Sequence, residues 1–394
     1  MALIKEPYGL VYNTDGTLCT TIRDDDIPFP GVRSFAVETG TTNLFNNPDF
    51  ETGDTTNWLY GLAVDIGITS DSYQGNYAGT IIANADNNWG WIGQRISAVS
   101  GETYTFSIYV KANKASAVGN NARLTIYEKQ GTTYLLQHYS YLFITLPYNW
   151  TRYELTRTIE NTLTDTIEVR FQLNETVTGV GAIIDNMQLE VKPFASSFVN
   201  GTRPNGRLEI SVKDLMFDIA NDDWVISYWK YPVATYNNTQ NHYNECSLGQ
   251  YTSDYSKGYI SFGKENNMNK YRLLVVLNDA TRVQINSNNT FNPTDYFYHW
   301  HYEVVKKSGK VLSYYVDGVK QIEYTIPADK EIQTPFDVGL SLGGHTANNI
   351  FSPNNALIAA PYYGYNSATW TDDYIREVYE AKMPFAVSNK LSIY

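Results

Sequence analysis

The sequence predicts an all-β protein made of two antiparallel β-sandwiches and an N-terminal arm. Strand-length runs alternate apolar and polar residues with a period of two, as half-buried strands do. Turn-forming residues separate these runs at the spacing of an antiparallel sandwich. At 394 residues with 43% apolar side chains, the chain is long enough for two or three domains, each burying a core.

Composition argues against two classes of partner. The formal net charge is −12 without a basic stripe, so the chain is expected to bind neither nucleic acid nor anionic membranes. No apolar run approaches the length of a membrane span, so membrane insertion is not expected.

Cys19 and Cys246 lie far apart and are expected to be unpaired thiols. The 33 tyrosines favour strands as well as binding faces, which leaves both interpretations open.

Residues 1–40 are predicted to be an arm for tethering or assembly. Their short apolar pieces are broken by DDD, PFPG and Gly40, which leaves no room for a core. Asp24, Asp25 and Asp26 are interpreted as a solvated turn rather than a metal site, because three consecutive carboxylates cannot converge on one ion without special backbone geometry. We expect the arm to pack on another domain or another subunit.

Residues 41–192 are predicted to form the first sandwich. In YTFSIYVKA, the side chains of Tyr104, Phe106, Ile108 and Val110 fall on one face. The runs ARLTIYEK, TRYELTRTI and TIEVRFQL repeat the same period, and the segments QGNYAG, SGE and KQGTT supply turns between strands.

A linker and a second sandwich are predicted to follow. Pro193, Gly201, Pro204 and Gly206 interrupt the pattern over residues 193–207. Residues 208–385 return to strand patterns such as WVISYWKYP, YRLLVVLN and VLSYYVDGV, and residues 386–394 form a C-terminal tail.

One short helix is predicted in TWTDDYIREVYEAKMP. Thr371 suits the N-cap, Asp372 and Asp373 suit the first turn, and Pro384 ends the pattern.

The first predicted sandwich resembles the galactose-binding-like jelly-roll carbohydrate-binding modules over residues 41–192. The order and spacing of several phrases carry the resemblance: Asn43-Leu44, NPDFE (47–51), Trp58, YQGNYAG (73–79), ISAVSGETYTFSIYVKA (96–112), NWTRYELT (149–156) and AIIDNMQLE (182–190).

The resemblance implies a structural calcium ion. In that family an acidic residue after the first strand and an aspartate near the last strand commonly help to hold calcium, and Glu51 and Asp185 occupy these positions. Oxygen ligands from both chain ends would suit a hard cation. The alternative is that both are hydrogen-bonded or surface carboxylates.

The resemblance also implies sugar binding on an aromatic platform, where a pyranose face stacks on a ring and polar groups take the hydroxyls. The candidates are Trp89 and Trp91, with Asn88, Gln94 and Arg95 as polar neighbours. Two residues apart on a strand, the tryptophans would share a face. The alternative is that one or both belong to the core.

Other aromatic residues of this segment have different expected places. Trp58 is predicted to lie in the core. Tyr139, Tyr141 and Phe143 form a second row on one face, which suits a binding surface, an inner face or a subunit contact.

The second predicted sandwich resembles concanavalin A-like domains of the laminin G-like type. WHYEVVKKSGKVLSYYVDGVKQ carries a strand–hairpin–strand pattern, and ALIAAPYYGYNSATWTDDYIREVYEA matches a closing strand and short helix. Ala359 and Ala360 stand where the family has Asp and Glu, which puts a polar or metal role of that strand in doubt. Asp317 is interpreted as a turn former in its Asp-Gly hairpin.

The order of these two domains resembles minor structural and tail proteins of bacteriophages. The phrase QLE, then PFASSFVNGTRPNGRL, then DWVISYWKYP joins them in that arrangement. The N-terminal MALIKEPYGLVYNTDG lacks the apolar region of a signal peptide, so we expect the protein to lie on the virion surface and to leave the cell by lysis.

No enzyme active site is predicted. An E-x-D-x-x-E-type strand of hydrolases, a GxSxG elbow, an HExxH motif and a P-loop are all missing from the sequence. His299 and His301 would share a strand face, but a third zinc ligand is not evident.

The sequence therefore predicts a non-enzymatic phage virion protein of the tail, fibre or capsid surface. It would bind host-surface polysaccharide or glycan, contact other virion proteins and form a homo-oligomer. Two alternatives stay open: a purely structural decoration or spacer protein whose aromatic residues lie at subunit contacts, and a glycan-active enzyme with an accessory binding module.

Overall fold

The computed structural model describes residues 4–5, 10–12, 18–23, 34–61, 63–84, 89–174, 177–233, 242–265, 268–347, 350–365 and 367–382. The chain divides into two compact units. The first unit is Gly40–Arg203, and the second unit combines Met1–Thr39 with Pro204–Tyr394. Almost all regular structure is antiparallel β-sheet, which confirms the predicted all-β fold class.

The strands of the first unit and those before it are, in chain order, β1 Ile4–Lys5, β2 Leu10–Tyr12, β3 Leu18–Arg23, β4 Ser34–Val37, β5 Thr41–Thr42, β6 Leu59–Gly61, β7 Val64–Thr69, β8 Ala78–Ala83, β9 Gly90–Ser97, β10 Thr103–Ala112, β11 Asn121–Gln130, β12 Thr133–Thr145, β13 Thr151–Thr158, β14 Thr166–Asn174, β15 Gly181–Glu190 and β16 Thr202–Arg203.

The strands that follow are β17 Leu208–Ile210, β18 Trp224–Pro232, β19 His242–Tyr251, β20 Tyr259–Glu265, β21 Lys270–Val276, β22 Arg282–Thr290, β23 His301–Ser308, β24 Val311–Val316, β25 Val319–Thr325, β26 Leu340–Leu342, β27 Gly344–Ala347, β28 Ile350–Pro353 and β29 Ala356–Tyr365. The α-helices are α1 Pro293–Tyr296 and α2 Asp372–Ala381, and single 3-10 turns occur at Ala115–Ala117, Val212–Asp214 and Ser367–Thr369.

Two five-stranded sheets form the first unit, in the orders β13-β10-β15-β8-β7 and β12-β11-β14-β9-β6. Apolar side chains of both sheets form one core. Tyr104, Phe106, Ile108 and Val110 of β10 all lie in this core, so their predicted common face is confirmed. Trp58 is also buried there, and its indole N–H donates to the carbonyl of Asn47 at 2.9 Å.

The predicted linker at 193–207 is wrong for its first part, because residues up to Arg203 belong to the first unit. Phe194 and Phe198 are buried, and the backbone N–H and hydroxyl of Ser196 each donate to the Glu190 carboxylate at 2.7 Å. The side-chain oxygen of Gln188 accepts the N–H of Val199 at 2.9 Å. Two polar side chains at the end of β15 thus bind the segment to the sheet, which its Pro and Gly content did not indicate.

Two larger sheets form the second unit, a nine-stranded sheet β1-β2-β3-β4-β29-β18-β23-β24-β25 and a second sheet ordered β17-β26-β19-β20-β21-β22. Their facing side chains share one core. The segment at 1–40, predicted as an arm that packs on another domain or subunit, belongs to this unit, since β4 pairs with β29 and β3 pairs with β4. A segment without a core of its own completes a sheet edge through backbone hydrogen bonds. Asp24, Asp25 and Asp26 lie outside the described residues.

Three smaller predictions for the second unit are confirmed. Thr371 caps α2 by accepting the N–H of Tyr374 at 3.2 Å. Asp317 and Gly318 have φ angles of 52° and 77°, the two positive values of a type I′ hairpin turn. Cys246 is a buried free thiol. Within the described chain, neither α-helix has the length and apolar character needed to cross a bilayer.

Candidate functional site

One face of the first unit concentrates aromatic and charged side chains. It is the outer face of the sheet β12-β11-β14-β9-β6, opposite the core. We call it the aromatic face. Its members are Leu59, Gly61, Trp89, Trp91, Arg95, Arg123, Thr125, Tyr127, Lys129, Tyr134, Tyr139, Tyr141, Phe143, Glu168, Arg170 and Gln172.

Strand alternation produces this face. On β14, Val169 and Phe171 enter the core, so Glu168, Arg170 and Gln172 point outward. The register then aligns them across the sheet: Arg170 lies opposite Gly93 on β9 and Thr125 on β11. Other outward residues of these strands are aligned across the sheet in the same way. Because side chains alternate with a period of two, all these polar residues and rings lie on one surface.

The Trp91 indole lies across the neighbouring strand β6 at Gly61. A Cβ at Gly61 would stand 2.8 Å from the indole nitrogen, so only glycine leaves room for the ring in this position. The guanidinium of Arg170 lies 3.8 Å from the ring centroid, a cation–π contact. Trp91 is half-buried as a result, with its orientation fixed by both contacts.

A second aromatic group lies at the β12 side of the sheet. Phe143, Tyr141 and Tyr139 point outward in a row and are 56%, 46% and 46% exposed. The ring centroid of Phe143 lies 5.7 Å from that of Trp89, and the guanidinium of Arg123 lies 4.0 Å from the Trp89 ring centroid. The two tryptophans and the row Tyr139, Tyr141 and Phe143, which the sequence left as separate groups, therefore belong to one surface.

Glu168 links four donors in the middle of the aromatic face. Its buried carboxylate accepts from Arg95 Nε at 2.7 Å, Lys129 Nζ at 2.9 Å, Tyr134 OH at 2.7 Å and Arg170 Nε at 2.6 Å. Burial alone would raise the pKa of Glu168, but the hydrogen bonds from Arg95, Lys129 and Tyr134 outweigh it and lower the pKa to about 2. Glu168 is therefore a fixed anion that orients the side chains around it.

Gln172 has the corresponding role beside Trp89. Its side-chain oxygen accepts from Arg123 Nε at 3.0 Å, Thr125 Oγ1 at 2.6 Å and Tyr127 OH at 3.3 Å. Its amide nitrogen donates to the Trp89 carbonyl at 3.5 Å. These hydrogen bonds fix the rings and cations in place, and such fixed groups would reduce the entropy cost of binding a ligand.

The predicted platform residues divide into two groups. Trp89, Trp91 and Arg95 belong to the aromatic face, whereas Gln94 does not. Gln94 is buried and exchanges hydrogen bonds with the backbone of Asn46, at 3.1 Å from N–H and 2.7 Å to the carbonyl. The prediction for Gln94 is corrected: it lies three residues from Trp91 and so points to the opposite side of the sheet. The predicted residue Asn88 lies outside the described residues.

The sequence interpretation missed Arg123, Lys129, Glu168, Arg170 and Gln172. Their outward position follows from the alternation in ARLTIYEK and TIEVRFQL. Their proximity to the tryptophans depends on β14 lying between β9 and β11, which is a matter of long-range strand pairing. Only the alternation was a usable signal.

Glu51 and Asp185 both contact the loop at residues 73–77. Glu51 Oε1 accepts the N–H groups of Asn76 at 2.6 Å and Tyr77 at 2.8 Å. Asp185 Oδ2 accepts those of Tyr73 at 2.9 Å and Gln74 at 3.2 Å. N–H donors thus hold both carboxylates in place, and the described residues contain no group of three or more His, Cys, Asp or Glu suited to a metal. Calcium binding by Glu51 and Asp185 stays a prediction.

The protonation of Asp185 should make the stability of the protein depend on pH. Burial raises the pKa of Asp185 to about 7, and the nearby Asp49 adds to the increase. The unfolded chain releases this proton near pH 3.8, so the folded state holds it more tightly between about pH 4 and 7. Stability should fall with rising pH in this window, by up to about 1.4 kcal/mol per pH unit. Urea midpoints at several pH values should show this slope in the wild type and a weaker slope in Asp185→Asn.

The same pair of proteins tests calcium. At a pH above 7, a calcium ion bound by Asp185 would raise the urea midpoint of the wild type. It would leave the urea midpoint of Asp185→Asn unchanged. Equal midpoints for the wild type with and without calcium chloride would contradict the calcium prediction.

A second group of acidic residues lies inside the second unit. We call Lys230, Glu245, Lys264 and Glu303 the buried ion cluster; each is at most 3% exposed. Lys264 Nζ lies 3.0 Å from Glu245 Oε2 and 3.2 Å from Glu303 Oε1, and Lys230 pairs with Glu245. The hydroxyl of Tyr296 contacts both carboxylates at 3.1 Å.

The buried ion cluster suits stability better than catalysis. Burial raises the pKa of Glu245, whereas Lys264 and Lys230 hold the pKa of Glu303 below its ordinary value. Opposite pKa shifts of two neighbouring carboxyl groups also occur in the acid–base pairs of enzymes. Here, however, both carboxylates are buried and bonded to lysines, as in an internal ion-pair network. His301 is also engaged at both ring nitrogens, with Asp317 at 2.6 Å and the Tyr296 carbonyl at 2.9 Å.

Comparison with known proteins gives a family match for the first unit. Residues 42–178 match the model of a family described as "Carbohydrate binding domain". The matched segment contains all the strands of the aromatic face. A search of curated proteins found no match.

Solved structures similar to this chain include several carbohydrate-binding modules. A tandem of two CBM22 modules of Xyn10C from Paenibacillus barcinonensis is 11% identical, with 82% of this chain and 99% of that one covered and a TM-score of 0.33. TmCBM61, solved with beta-1,4-galactotriose, is 17% identical, with 37% and 97% covered and a TM-score of 0.28. The enzymatically active domain of tailspike protein 4 of bacteriophage CBA120 is 13% identical with a TM-score of 0.32; the match covers 38% of this chain and only 21% of that one.

Proposed function

We propose that the protein is a non-enzymatic virion component that binds a host-surface glycan through the aromatic face. The observation that carries the proposal is the combination of exposed rings and fixed hydrogen-bonding groups on one sheet face. The family match of residues 42–178 supports glycan binding by the same unit. The resemblance of the domain order to phage tail proteins supports the virion as its place of action.

The chemistry of the aromatic face suits a sugar chain. Aromatic rings such as Tyr141 and Phe143 offer flat apolar surfaces to the C–H faces of pyranose rings. Arg95 and Arg123 supply N–H donors for hydroxyl oxygens beside them. Five strands at about 4.8 Å spacing give the face a width of roughly 19 Å, enough for several sugar units.

The aromatic face offers little support for bond cleavage. Glycoside hydrolysis uses two carboxyl groups, one of which must be protonated to act as the acid. Glu168 is the carboxylate of this face among the described residues, and its pKa of about 2 keeps it ionised. The buried ion cluster of the second unit is closed to substrate. These features favour a protein that holds a glycan without cutting it.

Attachment by such a face would depend on repetition. Single sugar-binding sites are weak, and several copies of the protein on one particle would raise the overall affinity through effective concentration. We therefore propose a homo-oligomer in contact with other virion proteins. If the exposed rings instead formed subunit contacts, the protein would be a spacer without affinity for glycans.

Binding to an array of polysaccharides tests the proposal. Tyr141→Ala and Trp89→Ala should each lower the affinity at least about tenfold, because each removes a ring from the stacking surface. Tyr148→Ala is the matched control, since Tyr148 is 72% exposed and lies between β12 and β13, outside the aromatic face. Unchanged binding by both face variants would refute the proposal, and release of reducing ends from a bound polymer would establish an enzyme instead.

A further inference from the structure

The aromatic face is positively charged, although the protein as a whole is acidic. Arg95, Arg123, Lys129 and Arg170 point outward on this face, and Glu168 is the one acidic side chain among its described residues. The face thus has an excess of three positive charges in a chain with a formal net charge of −12. A local field of the opposite sign attracts anionic ligands.

Arg123 is the cation best placed to meet such a ligand. Arg95, Lys129 and Arg170 are bonded to Glu168, whereas Arg123 forms no ion pair with a described carboxylate. Its Nε donates to the neutral side-chain oxygen of Gln172 at 3.0 Å. This bond fixes the guanidinium without neutralising it, and the charge of Arg123 stays available.

The rings around Arg123 define what kind of anion would fit. The guanidinium lies 4.0 Å from the Trp89 ring, 6.0 Å from Tyr141 and 5.9 Å from Phe143. A ligand that stacks on these rings must therefore carry its negative charge within one ring width of the stacked group. A uronic acid meets this condition, since its carboxylate is attached directly to the pyranose ring.

We propose that the aromatic face selects acidic polysaccharides and that Arg123 binds the carboxylate of a uronic acid unit. This inference rests on the proposed glycan binding and adds the class of glycan. The planar guanidinium can donate two parallel hydrogen bonds to a carboxylate. A neutral sugar has an uncharged hydroxymethyl group at the same ring position, and this group cannot form the charged pair. Trp89, Tyr141 and Phe143 supply the stacking surface at the same time.

The test compares polygalacturonate with the same polymer after chemical reduction of its carboxyl groups. The wild-type full chain should bind polygalacturonate at least about tenfold more tightly, and sodium chloride raised from 50 to 300 mM should weaken this binding. Arg123→Gln should lose the preference and bind the acidic and the reduced polymer with equal affinity. Lys111→Gln is the charge-matched control, because Lys111 lies on β10 of the opposite sheet, where it pairs with Asp71.

The outcomes separate this inference from the proposed function. Equal wild-type binding of the acidic and reduced polymers, with a loss in Tyr141→Ala, would overturn the acidic preference and leave glycan binding intact. Binding of neither polymer would overturn the acidic preference directly, and an array without any bound glycan would overturn the proposed function too. An Arg123→Gln protein that melts at the wild-type temperature and still prefers polygalacturonate would show that Arg123 does not make the contact.

Discussion

Replacing Lys264 by Met is expected to lower the free energy of unfolding of the second unit by about 3–5 kcal/mol. Lys264 lies between Glu245 and Glu303, and its side chain is 1% exposed. Without this ammonium group, two buried carboxylates would share Lys230 as their remaining cation. The loss arises because buried charges without a partner cannot recover the cost of leaving water.

A double variant separates charge pairing from packing. Lys264→Met combined with Glu303→Gln removes one cation and one anion together, so we expect it to be less destabilised than the sum of its single variants. Lys320→Met is the matched control, because Lys320 pairs with Glu323 and Asp372 at the surface. Loss of that exposed pairing should cost no more than about 1 kcal/mol.

Hydrogen exchange within β20 and β23 provides the measurement, since it reports on the second unit independently of the first. Protection should fall strongly in Lys264→Met and recover in part in the double variant. A single variant as stable as Lys320→Met would contradict the structural role given to the buried ion cluster.

Replacing Glu168 by Gln is expected to have a comparable effect on the first unit, again about 3–5 kcal/mol. Lys129 is 1% exposed and would lose its carboxylate partner 2.9 Å away. Arg95 and Arg170 would lose the same partner, so the positions of the face cations would change together with stability. Glycan binding should therefore weaken in this variant although Glu168 itself carries no stacking ring.

The sign of the pH effect distinguishes Glu168 from Asp185. The pKa of Glu168 is lowered to about 2, so its stabilisation is complete above its usual value of 4.5 and is lost as the pH falls through 2. The contribution of Glu168 to the free energy of unfolding of the wild type should disappear over that acidic range. The Glu168→Gln variant should lack this dependence on pH. Glu160→Gln is the control, because Glu160 is exposed and its ion pair with Arg157 is long, at 3.9 Å. Identical acid midpoints for the wild type and Glu168→Gln would contradict this account.

The two tryptophan predictions show how far strand periodicity leads. Trp89 and Trp91 were placed on one face by counting residues, and the structure brings both to the aromatic face. The same count excludes Gln94, which is an odd number of residues from Trp91, and includes Arg95, which is an even number away. The prediction for Gln94 failed because it followed nearness in sequence and not the alternation of the strand.

The segments at both ends of the first unit show where sequence patterns mislead. Proline and glycine at 193–207 indicated a linker, yet Ser196 and Val199 bind the polar side chains of Glu190 and Gln188. Likewise the short apolar pieces before residue 40 indicated an arm that packs on another domain or subunit, but not that β4 would pair with β29 more than 300 residues later. Local composition carries no information about partners so distant in the chain.

The sequence by itself determined the all-β class, the alternation of each strand and the cap of α2, because these depend on residues a few positions apart. Only the tertiary structure decided which strands are neighbours, and this choice assembled Arg123, Glu168 and Arg170 around Trp89 and Trp91. Strand pairing depends on backbone hydrogen bonds and core packing over long separations, and every residue type except proline can both donate and accept those bonds. The positive charge of the aromatic face therefore becomes visible only once β9, β11, β12 and β14 lie side by side.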